Sequence, residues 1–138
     1  MSRDELLGRL SDPALLGFWR ERHLCTLTTL RADGTPHVVP VGCVLDPDVG
    51  EAWVISSAGS RKVRNIAAAG DDGQPVAVCQ VDGRRWSTLE GRATVHAAPG
   101  TVREAERRYA ERYRQPRDNP HRVAVRVALT RVLSSRLD

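Results

Sequence analysis

Apolar and polar positions change their spacing several times along the chain, and each change predicts an element. Ser11-Asp12-Pro13 opens a helix, with Ser11 as its N-cap and a proline in the first turn, and the helical pattern runs to about Arg20. From His23 to Arg31 (HLCTLTTLR) the period falls to two, with leucines alternating with threonines. Pro36 to Leu45 (PHVVPVGCVL) follows after Ala32-Asp33-Gly34-Thr35, and Asp-Gly between two such runs predicts a hairpin. A second turn at Asp46-Pro47-Asp48-Val49-Gly50 leads to a strand over Glu51 to Ser57. Ser60 to Ala69 returns to helical spacing and Gly70 ends it. Pro75 to Val81 and Arg85 to His96 read as two strands about the turn Asp82-Gly83-Arg84. Thr101 to Tyr113 is the longest helix predicted, its buried face formed by Val102, Ala105, Tyr109 and Tyr113. Arg122 to Leu133 is a last strand with Val123, Val125, Val127 and Leu129 on one face.

Six strands joined mostly by hairpins predict a mainly β fold, a six-stranded antiparallel β-barrel with peripheral helices. The 138 residues suit a single domain, 1–138, with an N-terminal helix in 1–20 and the barrel over 21–134. No apolar run approaches the ~20 residues of a membrane helix. The start, Met-Ser-Arg-Asp-Glu-Leu-Leu, places acids where an export signal needs apolar residues, so a cytoplasmic protein with no membrane partner is expected. Cys25, Cys43 and Cys79 form neither an even set nor a Cys-x-x-Cys motif and read as small buried hydrophobes.

Charge sharpens this picture. Residues 1–99 carry 11 cations against 12 acids, whereas residues 100–138 carry 10 against 5. Lys62 is the only lysine among 21 cations. A basic C-terminal region suits a polyanionic ligand, but the six aromatic residues do not alternate with arginine on any strand, and no nucleic-acid partner is expected.

The segment Ser56-Ser57-Ala58-Gly59-Ser60-Arg61-Lys62-Val63-Arg64-Asn65 carries the most specific chemistry. A strand ends, small hydroxyl residues turn the chain, and a helix begins with free N–H groups and two cations in its first turn. Both a capped surface helix and a phosphate site fit those residues; the Walker A spacing and the Gly-x-Gly-x-x-Gly fingerprint are absent. The four histidines show no zinc-ligand spacing, so no metal is expected. Glu90 fits an exposed or ion-paired strand residue better than a catalytic base. Trp86 suits either the core or the wall of a ring-binding pocket. No catalytic side chain is assigned.

The runs HLCTLTTLRADGTPHVVPVGCVLD, AWVISSAGSRKVRNI and VAVCQVDGRRWSTLEGRA resemble the pyridoxamine 5′-phosphate oxidase-like split β-barrel superfamily over about residues 20–134. Arg22-His23-Leu24, Pro36-His37-Val38-Val39, Cys79-Gln80-Val81-Asp82-Gly83 and Arg108-Tyr109-Ala110-Glu111-Arg112-Tyr113-Arg114 are most similar to its branch using the deazaflavin coenzyme F420, in particular the actinobacterial F420-dependent biliverdin reductases. The resemblance implies an F420H2-dependent oxidoreductase passing hydride to a conjugated small molecule, a linear tetrapyrrole such as biliverdin. The alternatives are an FMN-dependent oxidoreductase of the same fold and a non-catalytic flavin or haem binder. It further implies that Lys62, Ser60 and Asn65, with Arg61, hold the cofactor phosphate, and that Val39, Pro40, Val41, Ser56 and Ser57 line the deazaflavin ring. Gln80 and Trp86 would reach in from the partner of a homodimer.

Overall fold

The computed structural model describes residues 1–138. Strands form where the two-residue period lies: β1 (Cys25–Leu30), β2 (Pro36–Val41), β3 (Cys43–Asp46), β4 (Glu51–Ser57), β5 (Gln74–Asp82), β6 (Arg85–His96) and β7 (Arg122–Ser134). They make one antiparallel sheet in the order β2-β1-β5-β6-β7-β4-β3. Its two edge strands, β2 and β3, are separated in the chain by the single residue Gly42. Edges that are covalent neighbours force the sheet to curl until they meet, and this makes a split barrel. Pro36 and Pro40 lie on the edge strand β2, where missing N–H donors cost least.

Seven strands replace the six expected because the run 36–45 breaks at Gly42. A Cβ there would sit 2.6 Å from Tyr109 Cε2 and 3.0 Å from Tyr113 Cε2, so only glycine lets the chain pass from one edge to the other beneath the two rings. A second close approach fixes the opposite wall. At Gly91, beside the bulge between β6 and β7, a Cβ would fall 2.2 Å from the Ala128 carbonyl oxygen.

Residues 1–20 form two helices, α1 (Arg3–Arg9) and α2 (Pro13–Arg20), rather than one. The seven residues of α1 are too short to display a period; Ser2 caps it by accepting from Glu5 N–H at 3.1 Å. Asp12, not Ser11, caps α2, accepting from Ala14 N–H at 3.0 Å, while the Ser11 hydroxyl donates back to the Gly8 carbonyl. Both helices plug the barrel with Leu6, Leu10, Leu15 and Trp19, which join Leu27, Val54, Val78, Leu89, Val125 and Val127 in the core. α3 (Arg61–Ala67) seals another side, and α4 (Pro99–Arg112) packs on β3, β4 and β7. Of the face predicted on α4, Ala105 is buried, packed with Trp53 and Ala124, whereas Val102, Tyr109 and Tyr113 are half-buried.

Candidate functional site

β4 ends at Ser57, Ser60 N–H donates back to the Ser57 carbonyl at 3.1 Å, and α3 begins. Ser60 has the extended backbone of an N-cap, but its hydroxyl lies 3.0 Å from Ser56 Oγ and caps nothing. The first-turn N–H groups of α3 therefore lack a side-chain acceptor, and the positive end of the helix is left uncompensated. Arg61 is exposed there. Lys62 is half-buried without a carboxylate partner, and burial pushes its ammonium below the usual lysine range. A phosphate at this point would accept the free N–H groups and favour the charged form of the lysine.

Asn65 is placed differently from Lys62. It is buried on the inner face of α3, and its amide nitrogen donates to Thr29 Oγ1 at 3.0 Å. Gln74 completes this clamp by donating to the carbonyls of Asn65 (3.0 Å) and Leu30 (2.9 Å) and accepting from Leu30 N–H (3.0 Å). Asn65 thus fixes where α3 starts relative to β1. Thr29 and Gln74, polar residues at buried positions of otherwise apolar strand faces, are the sequence signal for this arrangement.

Val39 and Val41 face inward from β2 and Pro40 is exposed on it, with one edge of the strand free of a strand partner. His37 shares the parity of Val39 and Val41, pairs in register with Thr29, and buries an Nδ1 that has no hydrogen-bond partner in the chain. A polar side chain in step with two valines marks a position that the apolar pattern does not explain. Ser57, exposed at the other side of the turn, accepts from Asn119 Nδ2 at 2.8 Å, and Ala58 N–H donates to the His121 carbonyl at 2.8 Å. The loop after α4 is thereby tied to the β4–α3 turn.

Gln80 corrects the expectation of a cross-subunit contact. It is completely buried in its own chain; Nε2 donates to the Phe18 carbonyl at 2.8 Å and Oε1 accepts from Arg112 and Cys25. With both ends of its amide bonded inward, it has nothing to present to a partner. Trp86 does: its ring is 38% exposed at the start of β6, paired in register with exposed Val81.

Near Trp86, Glu21, His23 and Asp82 bring their ligand atoms within 4.8 Å of one another. Arg85 closes this cluster, reaching each Glu21 oxygen at 2.7 Å and also binding Asp82. The Arg85 and His23 contacts hold the Glu21 carboxyl down at about 2, and the group is an ion-pair network. Cys25 and Cys43 are buried, and burial pushes both thiols up, which keeps them protonated and unreactive.

The model of the family described as Pyridoxamine 5′-phosphate oxidase matches residues 11–136, almost the whole of this fold. The chain belongs to that family. It is 53% identical over 127 residues, 92% of this chain and 89% of the relative, to the F420H(2)-dependent biliverdin reductase of Mycobacterium tuberculosis (strain CDC 1551 / Oshkosh). Among solved structures, a conserved hypothetical protein from Mycobacterium tuberculosis superposes with a TM-score of 0.70 at 25% identity, covering 97% of this chain and 84% of that one. An F420 reductase superposes with a TM-score of 0.65 at 22% identity, over 85% of this chain and 94% of its own, a likeness of fold. The family and these structures account for the antiparallel barrel that the strand pattern predicted and for the split form that the resemblance implied.

Proposed function

We propose that the protein is an F420H2-dependent reductase that converts biliverdin to bilirubin in the cytoplasm, working as a homodimer. The observation that carries this reading is the 53% identity, spread over 92% of the chain, to an F420H(2)-dependent biliverdin reductase.

The residues present fit the coenzyme. The uncapped start of α3, the unpaired Lys62 and Arg61 suit its phosphate, with Ser60 beside them and Asn65 anchoring the helix from below. The free edge of β2 at Val39-Pro40-Val41 and the hydroxyls of Ser56 and Ser57 suit the ring, and the orphaned His37 Nδ1 offers a further polar contact on the same strand. When bound, the reduced deazaflavin supplies the hydride. The chain's part is to orient, exclude water and neutralise charge, which requires no triad and matches a site without one. The proton is taken from solvent.

The homodimer reading rests on the outer face of the sheet. Val38 (57% exposed), Val81 (61%) and Trp86 (38%) lie on strands of this face and Leu24 (65%) just before β1, and the same face carries a depression of about 550 Å³ whose lining includes Leu30, Pro75, Ala77, Glu90 and Arg92. An apolar face of this kind is costly to leave in water, and a second copy covering it brings Trp86 to the other subunit's ring site. Light scattering should give about twice the 15.2 kDa of one chain; a folded, active monomer at micromolar concentration removes the dimer.

Anaerobic mixing of the protein, reduced F420 and biliverdin tests the function. The red absorbance of the tetrapyrrole should fall as the oxidised deazaflavin band rises, and NADPH should not replace F420H2. Protein that purifies yellow with stoichiometric FMN and ignores F420 would sink the reading.

A further inference from the structure

Between the C-terminal end of α4 and the β2–β3 junction lies a cavity of about 390 Å³ lined by Gly42, Ile55, Tyr109, Arg114, Arg117 and Arg122. Two of its walls lead towards the ring site: Gly42 follows Val41, and Ile55 stands two positions before Ser57 on the same face of β4. The remaining wall is the loop after α4, which the Asn119–Ser57 and His121–Ala58 hydrogen bonds fasten to the turn before α3. The cavity therefore borders the β4–α3 turn.

Its charge is unbalanced. Arg122 is paired with Glu106 at 2.6 Å, Arg107 and Arg108 with Glu104, and Arg126 with Glu51. Arg114 and Arg117 are exposed at the cavity and make no ion pair or hydrogen bond within the chain. No carboxylate lines the cavity. Two free guanidinium groups on a tethered loop line one cavity, and each suits a carboxylate, which arginine binds through paired N–H donors.

We infer that this cavity is the carboxylate-recognition site of the enzyme, in which Arg114 and Arg117 pair with a carboxylate of the bound ligand. The inference rests on the F420 and tetrapyrrole reading for the identity of that ligand. Two sources carry the chemistry: a propionate of the tetrapyrrole and the glutamate tail of the coenzyme.

The test compares the native protein with the double variant Arg114→Gln/Arg117→Gln in equilibrium binding, read by tryptophan and deazaflavin fluorescence. One arm uses biliverdin against its dimethyl ester without cofactor; the other uses F420 against the tail-less deazaflavin phosphate. The native protein should prefer the acid in at least one arm by about tenfold, about 1.4 kcal/mol, and the double variant should erase that preference while binding the carboxylate-free ligand unchanged. Preference in the first arm assigns the site to substrate, and in the second to the coenzyme tail. A native protein with no preference in either arm, or a variant that keeps the preference, overturns the inference. If the protein binds no F420 at all, the proposed function falls, and the biliverdin arm still decides the arginine site. Both arginines are exposed, and an unchanged circular dichroism spectrum will show that the variant folds.

Discussion

Replacing Arg112 with leucine should cost this fold about 3 kcal/mol. The guanidinium ties the last turn of α4 to three other parts of the chain. Nε and Nη2 donate to the Glu21 carbonyl at 3.1 and 2.7 Å, Nη1 donates to the Cys43 carbonyl, and Nη2 also reaches Gln80 Oε1. The same group lies 5.6 Å from the Trp19 ring centroid and 5.0 Å from that of Tyr113. A hydrogen bond to a charged donor contributes about 1.5–3 kcal/mol. Three acceptors share one donor group and two carbonyls can turn to water, so the terms do not add. The lasting loss is Gln80 Oε1, left in a completely buried side chain with only the weak Cys25 thiol at 3.7 Å. That penalty of about 1–3 kcal/mol, together with about 1 kcal/mol of lost cation–π contact, gives the expected total. In urea, with a slope of about 1.5 kcal/mol per molar, the midpoint should drop by about 2 M at fixed protein concentration. Arg112→Lys keeps the charge but lacks the planar fork that spans these separated acceptors, and it should recover only part of the loss. A leucine variant within about 1 kcal/mol of the native protein, or a lysine variant indistinguishable from it, would refute the reasoning.

Lys62→Ala should weaken F420 binding by about 1.5–3 kcal/mol, the worth of a charged hydrogen bond, with the gap narrowing as salt rises; unchanged affinity in a fluorescence titration at low salt removes Lys62 from the phosphate site. Glu21 carries a pH signature: because Arg85 and His23 lower its carboxyl from 4.5 to about 2, its stabilising part is complete above about pH 4.5 and is lost as the pH falls towards 2. Glu21→Gln should therefore flatten the fall of Tm with acid over that window by a small amount, since the group is exposed, and parallel Tm curves would show that the network contributes nothing.

Local pattern was enough for six strand-forming runs, the family and the strand-to-helix turn before α3. Alternation at Val123, Val125, Val127 and Leu129 is enforced locally, because a strand that buries one face must place an apolar residue at every second position, and all four are buried. The start of α3 was equally legible, since hydroxyl, glycine and cations at a strand-to-helix change are neighbours in the chain. Tertiary structure alone decided what depends on distant residues meeting. Gly42 breaks a continuous apolar run only because Tyr109 and Tyr113 arrive from a helix more than 60 positions away. Gln80 turned inward because Arg112, Phe18 and Cys25 converge on it, which no local pattern encodes. Arg114 and Arg117 are set apart by lining one cavity that no carboxylate shares, and which side chains meet there is decided when the chain has folded: side-chain spacing along a strand is a property of the backbone, whereas the matching of charge and hydrogen bonds belongs to the packed molecule.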